Sequence, residues 1–320
     1  TTFSFQPWHS LEEFKRYILR FIQCSPVLDS QSCIRSTRYN QYHSVTKPVK
    51  DLLLKKGVKF VYNAALINAK FKKADDKLAL KTLQLQINQE PNEIDVSDND
   101  LVFMTLGSMT SMFSVGSMKS PPTTPALDST DWNFWKNIAP LSPEFGNPHL
   151  FLADCDATKW VSFTITFTNP VFTDLLEKIT RTKAGREGPI TIKDSPWLIS
   201  FALPNHPHFP GQPENNHLIW GYGMHSNTKG TFVNKTLPEC TGEEILYEII
   251  RHLKFDDRLD EIRAVDVGHE AQCHVALAVV LQRLVGHDGT EVRPADADVH
   301  HIADGLARVA LPLPRSHLVA

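Results

Sequence analysis

Few residues in this chain have both the type and the spacing to do chemistry. Tyr17 lies one helical turn from Phe14 and from Phe21, at the edge of an apolar stripe. A phenol is a weak acid, with an ordinary pKa of about 10, so it donates a proton at neutral pH only with a neighbour's help. The same spacing also describes a helix residue at the rim of a core. His206 and His208 alternate as two metal ligands on one strand face would, but Pro207 between them favours a loop, and two ligands alone do not make a site. His269-Glu270 with His274 exceeds the H-E-x-x-H spacing by one residue, so the two imidazoles would not share a helical face, and no metal is expected. Thr105-Leu106-Gly107-Ser108 follows an apolar run, where small residues let a backbone approach a dinucleotide, or simply turn it. Gly221-Tyr222-Gly223 is not the G-x-G-x-x-G turn of such a site. Asn234-Lys235-Thr236 is a glycosylation pattern that means little by itself, and the lysines of 70–73 with Lys77 and Lys81 read as a solvated face.

The elements that must position these groups follow from periodicity and stop signals. Ser10 to Ile22 is predicted to be a helix, with Ser10 and Glu13 as a capping box and Leu11, Phe14, Ile18 and Phe21 on one face. A second helix is predicted from Val45 to Lys56, with Pro48 in its first turn and Gly57 at its stop. Strands are expected at 58–62, within Leu83–Ile87 and at Leu101–Thr105. Three prolines among Ser and Thr make 117–130 a loop. A β-rich stretch then follows, with strands at 160–167, 190–192, 197–203, 218–222 and 231–233. Thr241 to Leu253 closes it as a helix with a second capping box, Thr241 and Glu244.

Composition sets the bounds. The chain has 320 residues, 42% of them hydrophobic, which is enough for a sizeable core. The net charge of −3 points to neither nucleic acid nor an anionic membrane. Five scattered cysteines with no C-x-x-C pair suggest neither a disulfide framework nor a zinc ribbon, and a reducing, cytoplasmic setting is expected. The first residues do not read as a signal peptide, and the chain begins as if cut from something longer. From Glu261 to Ala320 there is no Lys, Asn, Phe, Tyr or Trp, whereas residues 1–260 hold 20 Lys, 15 Asn and 30 aromatics. Such a shift suggests a different coding origin for the tail, or else a genuine Ala/Val-rich extension.

Longer stretches carry a resemblance. Phe3-Ser-Phe-Gln-Pro-Trp8-His9-Ser10 with Arg16-Tyr17 comes first, then Tyr39-Asn40-Gln41-Tyr42 and Asp100-Leu-Val-Phe103 with Thr105-x-Gly107-Ser108. Trp132-x-x-Trp135-Lys136-Asn137, Phe145-Gly146-Asn147-Pro148, Pro207-His208-Phe209 and Glu239-Cys240-Thr241-Gly242 continue the series. In this order they resemble the oleate hydratases, also called myosin-cross-reactive antigens, over residues 1 to about 257. That family adds water across the cis double bond of unsaturated fatty acids such as oleic acid and requires FAD without net redox change. The resemblance implies that Tyr17 is the proton donor, that Gln41 and His208 hold the substrate carboxylate, and that Thr105, Gly107 and Ser108 touch the flavin. It also shows departures. Ala202 stands where many members have Thr and Pro204 where they have Asn, so two donors are missing, and Asn205 or His206 would have to compensate by a one-residue shift. The Gly-Gly-Arg-Glu stretch that carries the water-activating glutamate is not in this sequence, which puts turnover by these residues in doubt and keeps a non-catalytic lipid- or flavin-binding remnant as the alternative.

The expected architecture is therefore α/β in the mixed α+β sense, a partial FAD-binding Rossmann-like domain with a β-rich substrate side. Residues 1–45 are expected to form a helical substrate-side segment and 46–116 part of the flavin domain. After the 117–130 loop, 131–257 form the β-rich substrate and flavin region, and 258–320 an atypical, out-of-frame or disordered tail. An unsaturated fatty acid is the expected partner, nucleic acid is not, and peripheral membrane contact and a homodimer are compatible with this reading.

Overall fold

The computed structural model describes residues 11–27, 36–74, 77–106, 113–123, 130–152, 156, 159–181, 183–186, 188–263 and 274–279. The fold is mixed α and β, with two antiparallel sheets. The chain opens with helix α1 (Leu11–Phe21), which runs into a 3-10 turn at Ile22–Val27. A π-helical turn at Tyr42–Thr46 leads into α2 (Lys47–Lys55), with Pro48 in its first turn. Gly57 ends α2 with φ +82°. There the Gly57 N–H donates to the Leu54 carbonyl and the Val58 N–H to that of Leu53, so the last carbonyls of the helix are satisfied.

That stop explains one missed element. The strand predicted at 58–62 does not form as such: the Val58 N–H belongs to the helix end. The pairing starts later instead, in three antiparallel strands, β1 (Ala64–Ala74), β2 (Lys77–Ile87) and β3 (Glu90–Asp95). Asn88 and Gln89 make the tight β2–β3 turn with positive φ. The expected run Leu101–Thr105 is not a strand either. Val102, Met104 and Leu106 alternate toward an apolar cluster, yet the segment belongs to neither sheet. This cluster also takes Ala69 and Leu80 from the small sheet and Trp132, Phe134, Trp135 and Ile138 from α3 (Thr130–Ile138). Lys70 and Lys81 of the basic run pair with Glu93 and Asp98 at the surface, as a solvated face should.

The larger sheet joins β4 (Phe113–Val115), β5 (Lys159–Phe167), β6 (Ile190–Thr191), β7 (Ile199–Ala202), β8 (His217–Gly223) and β9 (His274–Val279), in the order β4-β9-β5-β8-β7-β6. Part of the compositionally distinct tail, β9, thus pairs with β4 and β5. Along β5 the burial alternates strictly, with Val161, Phe163, Ile165 and Phe167 inside. α4 (Pro148–Leu152) precedes this strand, and α5 (Val171–Thr180), α6 (Gly242–Leu253) and α7 (Leu259–Arg263) follow it. Phe172 and Leu176 of α5 and Ile245, Leu246, Ile249 and Ile250 of α6 share the core of this sheet with Trp197, Ile199, Phe201, Ile219 and Leu237. Each such side chain contributes on the order of 1.5–3 kcal/mol by leaving water.

Two features lock α6 in place. Thr241 caps its N-terminus, accepting the Glu244 N–H at 3.2 Å, while the Glu244 carboxylate takes the Thr241 N–H at 3.0 Å. Glu248, fully buried, accepts the N–H groups of Thr231 at 2.6 Å, Phe232 at 2.8 Å and Val233 at 2.8 Å. The strand predicted at 231–233 fails to form for that reason: its donors go to a carboxylate rather than to a neighbouring strand. His252 Nε2 lies 3.2 Å from the same carboxylate. Cys24 is disulfide-bonded, which its scattered sequence position did not suggest. No helix among the described residues is long and apolar enough to cross a membrane.

Candidate functional site

The site residues expected from sequence fall into three places. The first is a rim where the 37–44 turn meets the loop after β7. The turn is built by its own polar side chains. Asn40 Oδ1 accepts the His43 N–H at 2.9 Å, and Ser44 Oγ accepts the Tyr39 N–H at 3.1 Å while donating to the Tyr39 carbonyl at 3.0 Å. Two bonds staple it to the loop: the Asn40 N–H donates to the His208 carbonyl at 2.9 Å, and Asn205 Nδ2 to the Thr37 carbonyl at 2.6 Å. Three residues expected at the carboxylate end, Gln41, Asn205 and His208, are therefore brought into one neighbourhood although more than 160 positions separate Gln41 from Asn205. Gln41 is exposed, and its amide makes no cap bond to the turn it opens. Asn205 is spent in part on the staple, and it packs on Gly185, where φ is +73° and a Cβ would collide with the Asn205 side chain.

The loop is held open by Gln212. Its Oε1 accepts the N–H groups of His208 at 2.7 Å and Phe209 at 3.0 Å, and its Nε2 donates to the Asn216 carbonyl. Burial holds the His208 imidazole below its ordinary pKa, so at neutral pH it is an uncharged ring that offers one N–H. A neutral donor on this loop can orient a carboxylate without neutralising it. Sequence reading missed His217. Its ring stacks on His206, centroids 4.6 Å apart and planes 3° from parallel. The β7–β8 register pairs Ala202 with Trp220, and continuing it outward by three residues sets 205 opposite 217. An antiparallel reading of the two strands would have set His217 opposite Asn205, one residue from His206. Ala202 and Pro204 add no side-chain donor to this rim. Among the described residues no group of three or more His, Cys, Asp or Glu could hold a metal ion, so His206 and His208 gain no further ligand there.

The second place is α1. Tyr17 is 44% exposed, with its ring 6.3 Å from that of Phe21. Phe14, one turn away, is exposed as well, and Leu11, Leu19 and Ile22 are exposed elsewhere along the helix and the turn after it. The helix thus presents apolar side chains and a phenol together at the surface, a combination that suits a long aliphatic ligand with a proton to receive.

The third place is the expected flavin segment. Thr105 is exposed in an irregular stretch, and Gly107 and Ser108 lie outside the described residues. All strand pairs of both sheets are antiparallel, so the described residues do not form the parallel β-α-β unit of a dinucleotide fold. Gly221 and Gly223 are packing glycines: a Cβ at 221 would lie 2.5 Å from the Phe163 ring, and one at 223 would collide with Leu237. The described residues thus hold no parallel β-α-β cradle for a dinucleotide.

A sequence model described as the MCRA family matches residues 1–294, running past position 261, where the composition changes, and beyond the motifs quoted above. The chain is 35% identical over 259 residues, 79% of its length, to an oleate hydratase of Streptococcus pyogenes serotype M49 (strain NZ131), covering 44% of that protein. It is 30% identical over 269 residues, again 79% of its length, to a linoleate hydratase of Lactiplantibacillus plantarum, covering 47% of that one. The chain spans less than half the length of these curated relatives.

Proposed function

We propose that this chain, which belongs to the MCRA family, binds an unsaturated fatty acid and contributes the proton-donating side of hydration at its cis double bond. The observation that carries the reading is the stapled rim: two hydrogen bonds hold the Gln41 turn against the Asn205–His208 loop, so polar groups distant in sequence converge as a carboxylate end requires. The apolar surface of α1 with Tyr17 supplies the complementary part, an aliphatic contact with a phenol on it. The two relatives, named oleate hydratase and linoleate hydratase, make a fatty acid the fitting substrate class.

In the proposed reaction the Tyr17 hydroxyl gives its proton to one alkene carbon while a water oxygen bonds to the other. The water's surplus proton returns the phenol to its starting state, so atoms balance and nothing is oxidised. A positioned acid supplies on the order of 10²–10⁴-fold. No residue of this chain is assigned as the base, because the Gly-Gly-Arg-Glu stretch is not in it. FAD enters the proposal on the resemblance alone, tested by whether the purified chain retains added flavin after desalting.

The test is to incubate the chain with oleate, with and without FAD, and to follow 10-hydroxystearate by mass spectrometry beside Tyr17→Phe. Product above the Tyr17→Phe level supports hydration. Oleate binding without product favours the second reading, a non-catalytic lipid-binding remnant, which the donor-less Ala202 and Pro204 also favour. No binding and no product sinks both.

A further inference from the structure

The stacked pair His206 and His217 sits on the same loop as the proposed carboxylate end, and its hydrogen bonds fix where each ring carries its proton. Thr173 Oγ1 donates its single proton to the Pro170 carbonyl at 2.9 Å. Its contact with His217 Nδ1 at 3.2 Å therefore requires Nδ1 to be the donor. Neutral His217 is the Nδ1–H tautomer, and its Nε2 holds a free lone pair. His206 is the opposite case. Gln212 Oε1 accepts two backbone N–H groups, which fixes the amide's orientation, so the group that meets His206 Nδ1 at 3.3 Å is an NH₂. His206 Nδ1 must accept, and its proton lies on Nε2. Protonating His206 at Nδ1 would set two donors against each other, whereas protonating His217 at Nε2 breaks nothing. Neither Nε2 has a hydrogen-bond partner among the described residues.

We propose that His206 and His217 form a proton-gated anchor for the substrate carboxylate, in which exposed His206 donates from Nε2 and His217 takes up a proton that supplies the positive charge. This rests on the fatty-acid reading above and names residues for the headgroup that Ala202 and Pro204 cannot serve. The charged groups facing the pair come from α5. Asp174 and Glu177 favour the cation, and Lys183 is paired with Glu177. Burial holds the free His217 imidazole below its ordinary value, outweighing both carboxylates, and a charge on His206 would lower it further. His217 is thus neutral at pH 7 in the ligand-free loop, and its charge arrives when an anion binds or the pH falls. The sign follows: anion affinity rises as the pH drops through the range below about 6.5, the ordinary histidine value.

Two measurements test it on the full chain. Long-range ¹⁵N–¹H spectra of the histidine side chains at about pH 8 should show Nε2–H for His206 and Nδ1–H for His217, and the reverse tautomers overturn the proposal. Calorimetry with decane-1-sulfonate, which stays anionic throughout, should show binding about tenfold tighter at about pH 5 than at about pH 8, the scale of one added charge-assisted bond. Decan-1-ol should show no such dependence. His217→Asn, whose amide keeps the donor to Thr173 but takes no proton, should bind the sulfonate equally at both pH values, while His206→Gln, with an amide N–H in the Nε2 place, should keep the dependence. If oleate binds at about pH 8 but the sulfonate is indifferent to pH, or if His217→Asn keeps the dependence, this proposal falls and the fatty-acid reading stands. If neither oleate nor sulfonate binds at any pH, both fall.

Discussion

α1 and α6 are built on the same amphipathic principle and end in opposite situations. α6 turns Ile245, Ile249 and Ile250 into a core where each is fully buried, while on the apolar stripe of α1 Leu11 and Phe14 are exposed and Ile18 and Phe21 only half-buried. The difference lies in what meets the apolar face. α6 faces β5, β7 and β8 and is pinned by Glu248 and by its capping box. Periodicity tells which residues want cover, and only the surrounding elements tell whether they get it. The α6 region is thus the pinned part of the fold, and the α1 surface with the rim above β7 is where the chemistry is proposed to lie.

Substitutions can break or sharpen that contrast. The largest expected effect is at Glu248→Ala. Three buried N–H groups lose their acceptor and His252 loses its partner, so stability should fall by about 3–5 kcal/mol in urea unfolding. A loss below about 1 kcal/mol would mean that the carboxylate is not what holds the 231–233 loop. Gly221→Ala comes next, at about 1–3 kcal/mol, because the added methyl meets the Phe163 ring and Phe201 Cβ on the packed side of the sheet. Thr241→Ala should cost about 1 kcal/mol through the lost α6 cap. Leu19→Ser on α1 should shift stability by no more than about 0.5 kcal/mol. If it destabilises as much as Thr241→Ala, α1 is not the exposed surface described here. Smallest of all is the chemistry of Cys240. Burial is the largest cause of its thiol being pushed up to about 12, so peptide mapping after iodoacetamide at about pH 8 should find it unmodified in the folded chain.

Much of the α6 half was legible in the residues. The Thr241 and Glu244 pair marks a helix start, the alternation from 160 to 167 marks β5, and Gly57 marks the end of α2. The three-stranded sheet was legible only at Leu83–Ile87. Asn68, Lys70 and Lys72 on β1 and Thr82, Gln84 and Gln86 on β2 leave a polar sheet face that reads as loop until its partner strands are known. Elements whose hydrogen bonds go elsewhere were misread, as at Val58 in a helix end and at 231–233 on Glu248.

Legibility of the site divides in the same way. Family-like motifs pointed to Tyr17, Gln41 and His208, a one-residue shift offered Asn205 or His206, and the rim unites Gln41, Asn205 and His208. His217 belongs to no such motif. Its place beside the rim emerges only when β7 and β8 bring it over His206 and within reach of Thr173. The expected Rossmann-like portion is not formed by the described residues, whose apolar runs at 58–62 and 101–105 stay outside both sheets.

The rim joining 37–44 to 205–217 is proposed to receive the carboxylate end of a fatty acid. The most direct test is an oleate titration followed by backbone amide shifts in the full chain. Saturable shifts are expected at Gln41, Asn205, His206 and His208, with the amides of Leu83–Ile87 in the small sheet unmoved. Saturable shifts confined to the small sheet, or none anywhere, would contradict it.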